Sequence, residues 1–482
     1  MEKSNKKQLI GLFFAIILGG VFTSFMALTQ TVSMEAACVC GIFVGSLYLW
    51  ITRAIDWTSL LCLALLGMLP SIGFTKVFAN SFGNSTFAFL LFTFICTYAL
   101  AQTPFLKRAA LVLLQSPLAK KGSWGFFVSF LMAVYGIGLF VSPTVLFVVF
   151  LPVYEEICEL VGLKKGNKTA QGLLFSMIMM IALSAGATPI GHVFSVMAMG
   201  LYQTATGMSI SYLAYMGMAI PVTVVIALLT VVTMYGVYKI DLTVFNQLDM
   251  QPLQKELPPM SKRERYTVMI FAGVIVLWLL PEFVTFFTGE KWGLSTYGTA
   301  FPPLVATVLM AVFSVEGKPL LSLQEAFAKG VHWPSLIMAG TTLALSSAFT
   351  MKEIGLVTWL QEVITPHTQG LSTLLLVALF VTWAAVQTNF SSNLVTVSVV
   401  TTIAIPLLQQ SGVAVSIPAV ASLIGLMASL AYATPPSMPY VAISVGSGWL
   451  SAKMVFVYGM WMMCWSILVA IIIGYPLAAM MM

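Results

Sequence analysis

Ser142 and Thr144 lie inside the apolar run FVSPTVLFVVFLP (140–152), and Ser391, Ser392, Asn393 and Thr396 lie inside FSSNLVTVSVVTTIAIP (390–406). Thr188 follows Ser142 by 46 positions and Thr434 follows Ser392 by 42, each within the pattern Ala-x-Ala-Thr-Pro that ends at Pro189 or Pro435. Hydroxyls and a carboxamide donate hydrogen bonds, and an anion accepts them. A helix that begins at such a break adds unpaired backbone N–H groups, which also favour negative charge. The surrounding chain supplies no counter-argument. Residues 169–238 contain no Asp, Glu, Lys or Arg, and neither do residues 363–452. A site that binds cations through side chains, or relays protons, usually places a carboxylate at such depth. The natural guest here is an anion, and these groups can all donate to a carboxylate. His192, three residues past Pro189, is the one side chain in the first of these runs that can become positive near neutral pH. The plainer reading of His192 is a neutral ring bonded to a backbone carbonyl.

The elements that must hold these residues are membrane spans. The 482 residues are 59% hydrophobic and 8% charged, with a mean hydropathy of +0.98. Soluble chains carry about 25% charged residues, so the partner of this surface is a lipid bilayer. The net charge of +6 sits in short clusters between apolar runs, such as Lys107 with Arg108 and Lys164 with Lys165. Such clusters set topology and do not point to nucleic acid. The six cysteines form no C-x-x-C pair and read as small apolar helix residues. No cofactor motif is present. The first apolar run, 9–28, follows a basic start and reads as an uncleaved first helix with a cytoplasmic N-terminus, in a multi-pass protein of the cell membrane.

The pattern occurs twice. Ser142 and Ser392 are 250 positions apart, Leu106 and Leu356 also 250, and Thr188 and Thr434 246. This reads as an internal duplication: residues 1–238 form one copy, 239–265 a polar linker, and 266–482 the other. Hydropathy gives about eleven spans. The segments 142–158 and 390–411 are too short to cross again and read as re-entrant hairpins. Gly and Pro interrupt the helices at about 185–189 and 431–436. An unsatisfied backbone group facing lipid costs several kcal/mol, so these interruptions need protein or water around them. Ser and Thr in such helices commonly bond their own backbone, but the repeated placement favours a site. Duplicated broken helices around one midplane site are characteristic of secondary transporters. A membrane enzyme would want clustered acids or a metal set, and the runs offer one His and no acid.

The two segments resemble those of the divalent anion:sodium symporter family, the INDY-type dicarboxylate and citrate carriers. The resemblance implies a Ser-Asn-Thr motif at each hairpin tip, falling here on Ser142-Pro143-Thr144 and on Ser392-Asn393-Leu394, with Thr396 two residues on. It implies unwound helices at Thr188-Pro189 and Thr434-Pro435. It further implies two inverted-topology repeats, an elevator mechanism, a homodimer, and small di- or tricarboxylates as cargo. Na⁺, where used, would lie near Ser142, Gly186, Asn393 and Ala433. Pro143 and Leu394 depart from the motif. With His192 as a charge-compensating candidate, these departures lean toward sodium-independent dicarboxylate exchange; the alternative is Na⁺-coupled symport of the same cargo.

Overall fold

The structure, a computed structural model, describes residues 2–29, 32–246, 259–288, 293, 297–368 and 371–482. Helices make up almost all of it. One antiparallel ribbon pairs Ser314–Val315 with Lys318–Pro319, turning through Glu316 and Gly317 at φ 55° and 74°. Among the described residues, eight helices are long and apolar enough to cross a membrane, or nine if Gly73–Asn80 and Ser85–Ala101, bent by 46°, count as one span. That is fewer than eleven. Ile55–Gly67, Ser123–Gly138, Phe301–Val312 and Ile417–Ser429 run for only 13, 16, 12 and 13 residues, short of the roughly 20 a span needs.

The helices follow one order in each half. Ser123–Gly138, Pro143–Leu160, Lys168–Ala187, Val193–Thr206 and Tyr212–Val232 come first. Thr373–Phe390, Asn393–Gln410, Ile417–Ser429, Pro439–Gly446 and Ala452–Val469 follow. The first residues of the five pairs are separated by 250, 250, 249, 246 and 240 positions. Each fifth helix runs on into a π-helical turn, Thr233–Val237 or Ala470–Gly474. The helix starts are set by local chemistry. Asn167, Ser211, Ser372 and Ser451 each accept a backbone N–H of the first turn through their side-chain oxygens, which satisfies donors that no helix can pair internally.

Several boundaries differ from the sequence reading. Residues 142–158, expected to double back as a hairpin, belong to one continuous helix, Pro143–Leu160, which passes through Pro152. The chain reverses just before it, at 139–142, and the other arm is Ser123–Gly138. Likewise 390–411 is largely the single helix Asn393–Gln410, which passes through Pro406, and its other arm is Thr373–Phe390. Pro143 is the first residue of its helix, where its missing N–H would have had no partner anyway. The first break lies at 188–192, because its helix continues to Ala187. The second lies at 430–434, followed by a 3₁₀ turn, Pro435–Ser437. Of the expected linker 239–265, residues 247–258 lie outside the described residues, and its last residues open the helix Lys262–Thr288.

The core is built from the elements that carry the breaks. In Lys168–Ala187, Ile417–Ser429 and Asn393–Gln410 most side chains are buried. The first helix, Glu2–Leu28, is the opposite, exposing Leu9, Phe13, Ile16, Phe25 and Leu28. Such a face suits lipid. Among the described residues an ion pair ties the first half to the start of the helix Lys262–Thr288: Arg108 Nε lies 3.0 Å from Glu264 Oε1, and the Glu264 side chain is 2% exposed.

Candidate functional site

Each hairpin turn is tied to the break of its own half by the same bond. Thr188 Oγ1 donates to the carbonyl of Leu139 at 2.5 Å. Thr434 Oγ1 donates to the carbonyl of Asn389. Leu139 and Asn389 are 250 positions apart, and the two threonines 246. A threonine in extended backbone (φ −130° and −132°) thus closes each break onto the turn beside it. These hydroxyl protons are committed to the backbone, and so are not offered to a guest in this conformation.

Around that shared bond the halves are finished differently. In the second half polar side chains do the work. Asn389 Oδ1 accepts the amides of Tyr432 and Ala433 at 2.9 and 2.8 Å, and its Nδ2 donates to the carbonyls of Ala385 and Leu430 at 2.9 and 3.1 Å. Thr388 Oγ1 and Asn393 Nδ2 both donate to the carbonyl of Ala428, at 2.8 and 3.2 Å. In the first half the positions 250 earlier are Gly138, Leu139 and Pro143. There the join is made by close approach. A Cβ on Gly138 would stand 2.0 Å from Ser184 Oγ, and one on Gly191 would stand 3.1 Å from the Gly138 carbonyl.

The two breaks also meet each other. His192 Nδ1 lies 3.4 Å from Ser429 Oγ, and a Cβ on Gly186 would be 3.2 Å from Ser429 Cβ and 2.8 Å from Leu426 Cδ1. The His192 ring packs edge-on against Phe194, with centroids 3.9 Å apart. Behind the first break, Tyr215 OH donates to the Gly186 carbonyl at 2.6 Å and pairs with Ser195 Oγ at 2.7 Å. Phe147 and Tyr440 bring the first hairpin against the second broken helix, their ring centroids 6.2 Å apart.

The sequence-predicted residues divide accordingly. Ser142, half-buried, makes no capping bond to its helix and lines a small cavity with Pro189 and His192. Ser392 is also half-buried and caps its helix at the Val395 amide. Asn393 is 6% exposed and keeps donor capacity beyond its one bond. Thr396 is buried and bonded to the Ser392 carbonyl at 3.0 Å. Thr144 is exposed, on the same side of its helix as Val148 one turn on. Pro435 is half-buried beside Thr434, and Gly186 and Ala433, named for a cation, are buried. The Gly186 carbonyl already accepts Tyr215, and the Ala433 amide is held by Asn389.

Sequence reasoning passed over Asn389, Thr388, Ser429 and Thr93. Asn389 had a signal: a second Asn four positions before Asn393 in an apolar run. Ser429 and Thr93 had none beyond being small polar residues in apolar stretches. Thr93, on Ser85–Ala101, lines the same cavity of about 50 Å³ as Ser142 and His192.

The family model described as CitMHS, citrate transporter, matches residues 46–425. A sodium-dependent dicarboxylate transporter, SdcS, of Staphylococcus saprophyticus is 26% identical over 495 aligned positions, covering 98% of this chain and 93% of that protein. The crystal structure of the Alcanivorax borkumensis YdaH transporter superimposes with a TM-score of 0.57 at 15% identity, over 84% of this chain and 87% of that one. The last match speaks to fold alone.

Proposed function

Because this chain belongs to the citrate transporter family, and is a multi-pass membrane transporter of carboxylates rather than an enzyme, we propose that it is a Na⁺-coupled symporter of small dicarboxylates. The coupling is inferred from the relative that matches along almost the whole chain, a sodium-dependent dicarboxylate transporter. It favours symport over the exchange reading that Pro143, Leu394 and His192 suggested. Pro143 removes no backbone donor that its helix would otherwise have used.

The observation that carries the site is the repeated threonine tie, Thr188 to Leu139 and Thr434 to Asn389. It supports one binding region made of both turns and both breaks, with helices starting at Pro143, Val193, Asn393 and Pro439 around it. In this reading Ser142, Ser392, Asn393 and His192 donate to the carboxylates, assisted by those helix N-termini. Thr188, Thr396, Thr434 and the prolines shape the backbone. Na⁺ travels as co-substrate on backbone carbonyls and Ser or Asn oxygens near the turns. The matched helix orders support two repeats with a boundary inside 239–265. The elevator movement, the homodimer and a cytoplasmic N-terminus in the cell membrane complete the proposal.

The test is uptake of labelled succinate and malate into liposomes carrying the purified protein, with an inward Na⁺ gradient or with choline in its place. Symport predicts accumulation above equilibrium only with the Na⁺ gradient. Equal uptake in choline that requires internal unlabelled malate would return the exchange reading. Uptake of neither anion would overturn the carboxylate assignment for these substrates.

A further inference from the structure

We propose that Thr93 reads the substituent beside one carboxylate of the cargo, favouring a 2-hydroxy dicarboxylate over its plain counterpart. This rests on the dicarboxylate reading above. Thr93 stands on the helix Ser85–Ala101, outside the hairpins and broken helices. It is 8% exposed, and its Oγ1 has no hydrogen-bond partner. That is unusual here. Thr97, one turn later, donates to the carbonyls of Thr93 and Phe94 at 2.9 and 3.1 Å. Thr223, Thr230, Thr341 and Thr342 likewise bond the carbonyl four residues back, as helical threonines commonly do. Thr401 and Thr402 are also unpaired, but Thr93 is the one of the three that lines the cavity shared with Ser142 and His192.

Size and polarity decide what that cavity takes. A site for a whole small molecule occupies about 300 Å³ or more, and this cavity has about 50 Å³. It holds a substituent or a few waters, each of which needs roughly 10–15 Å³. Apart from Thr93, Thr97, Ser142 and His192 its walls are chiefly apolar, with Phe89, Leu90 and Phe94 among them. A second carboxylate forced in would lose its hydration against those rings. A neutral hydroxyl loses far less and gives Thr93 the partner it lacks. Ser142 and His192 then stay with the carboxylate on the adjoining carbon. Malate carries such a hydroxyl and succinate does not.

The experiment measures KM and maximal rate for labelled malate and labelled succinate in proteoliposomes, for the full-length protein, Thr93→Val and Thr93→Ser. Valine keeps the shape and removes the oxygen. The expected result is a malate KM raised about 3- to 10-fold in Thr93→Val, the range one neutral hydrogen bond spans. Succinate KM stays within about 2-fold on the same scale, and Thr93→Ser restores the malate preference. Should valine impair transport generally, protection of the purified variant against heat by malate and by succinate gives the same ratio without transport. Parallel changes for both anions, or none, would overturn the proposal. If the unaltered protein carries succinate and malate equally well, the Thr93 inference falls while the carrier reading stands; if it carries neither, both fall.

Discussion

Replacing Asn389 by leucine tests the arrangement most directly, because leucine is the residue at the matched position of the first half, Leu139. Asn389 is fully buried and makes four side-chain hydrogen bonds. Leucine has the same branched outline and is somewhat bulkier, so no void is added. What changes is that the amides of Tyr432 and Ala433 and the carbonyl of Leu430 lose their partner. At about 1–3 kcal/mol for each buried polar group left unpaired, the cost is roughly 3–9 kcal/mol. Water entering the break recovers part of it, so the lower figure, about 3 kcal/mol, is the one to test. With about 1.4 kcal/mol per factor of ten, the closed break gives way to an open form by roughly 100-fold. Hydrogen exchange at the amides of 430–434 should accelerate by about that factor, and malate uptake should fall to near background while the protein still inserts and elutes as a single species. The reciprocal change, Leu139→Asn, should leave the second break untouched. Wild-type uptake together with unchanged exchange in Asn389→Leu would refute the claim that this side chain holds the break.

Two further outcomes follow from the packing. Gly138→Ala should destabilise the first hairpin by about 1–3 kcal/mol, since the new methyl would meet Ser184 Oγ and Cβ at 2.0 and 2.7 Å; thermal unfolding in detergent measures it, and Ser184→Gly in the same chain should restore part of the loss. Arg108→Ala should cost about 3–5 kcal/mol by leaving the buried Glu264 carboxylate without its guanidinium, read as a lower melting temperature, with Arg108→Ala/Glu264→Gln milder than the single change.

Much of this architecture could be read from residue order, and the limits were local. The two hydroxyl-bearing runs and the two Thr-Pro pairs announced where regular helix could not continue, because Gly and Pro act on their own backbone and need no distant partner. Pro143 misled for the same reason. It reads as a departure from the hairpin motif, and it is the first residue of a helix, where the lost N–H costs nothing. The turns therefore sit at 139–142 and 391–392, at the start of the stretches that drew attention rather than within a hairpin formed by them. Asn389 was not singled out because three of its four partners lie more than 40 positions away, and nothing in an apolar run tells which Asn will find a broken helix to hold. Thr93 was invisible for a different reason: its distinction is a bond it does not make, and that shows only once its surroundings are placed.

The unlike finish of the two halves has a consequence for how the carrier would respond to its medium. Beyond the threonine tie that both share, the second break is held by Asn389, a group for which water can substitute, whereas the first adds the close fit of Gly138 against Ser184. Solutes that draw water away should hold the former shut more strongly than the latter. One duplicated frame would then contain a leaf more sensitive to water activity than its counterpart.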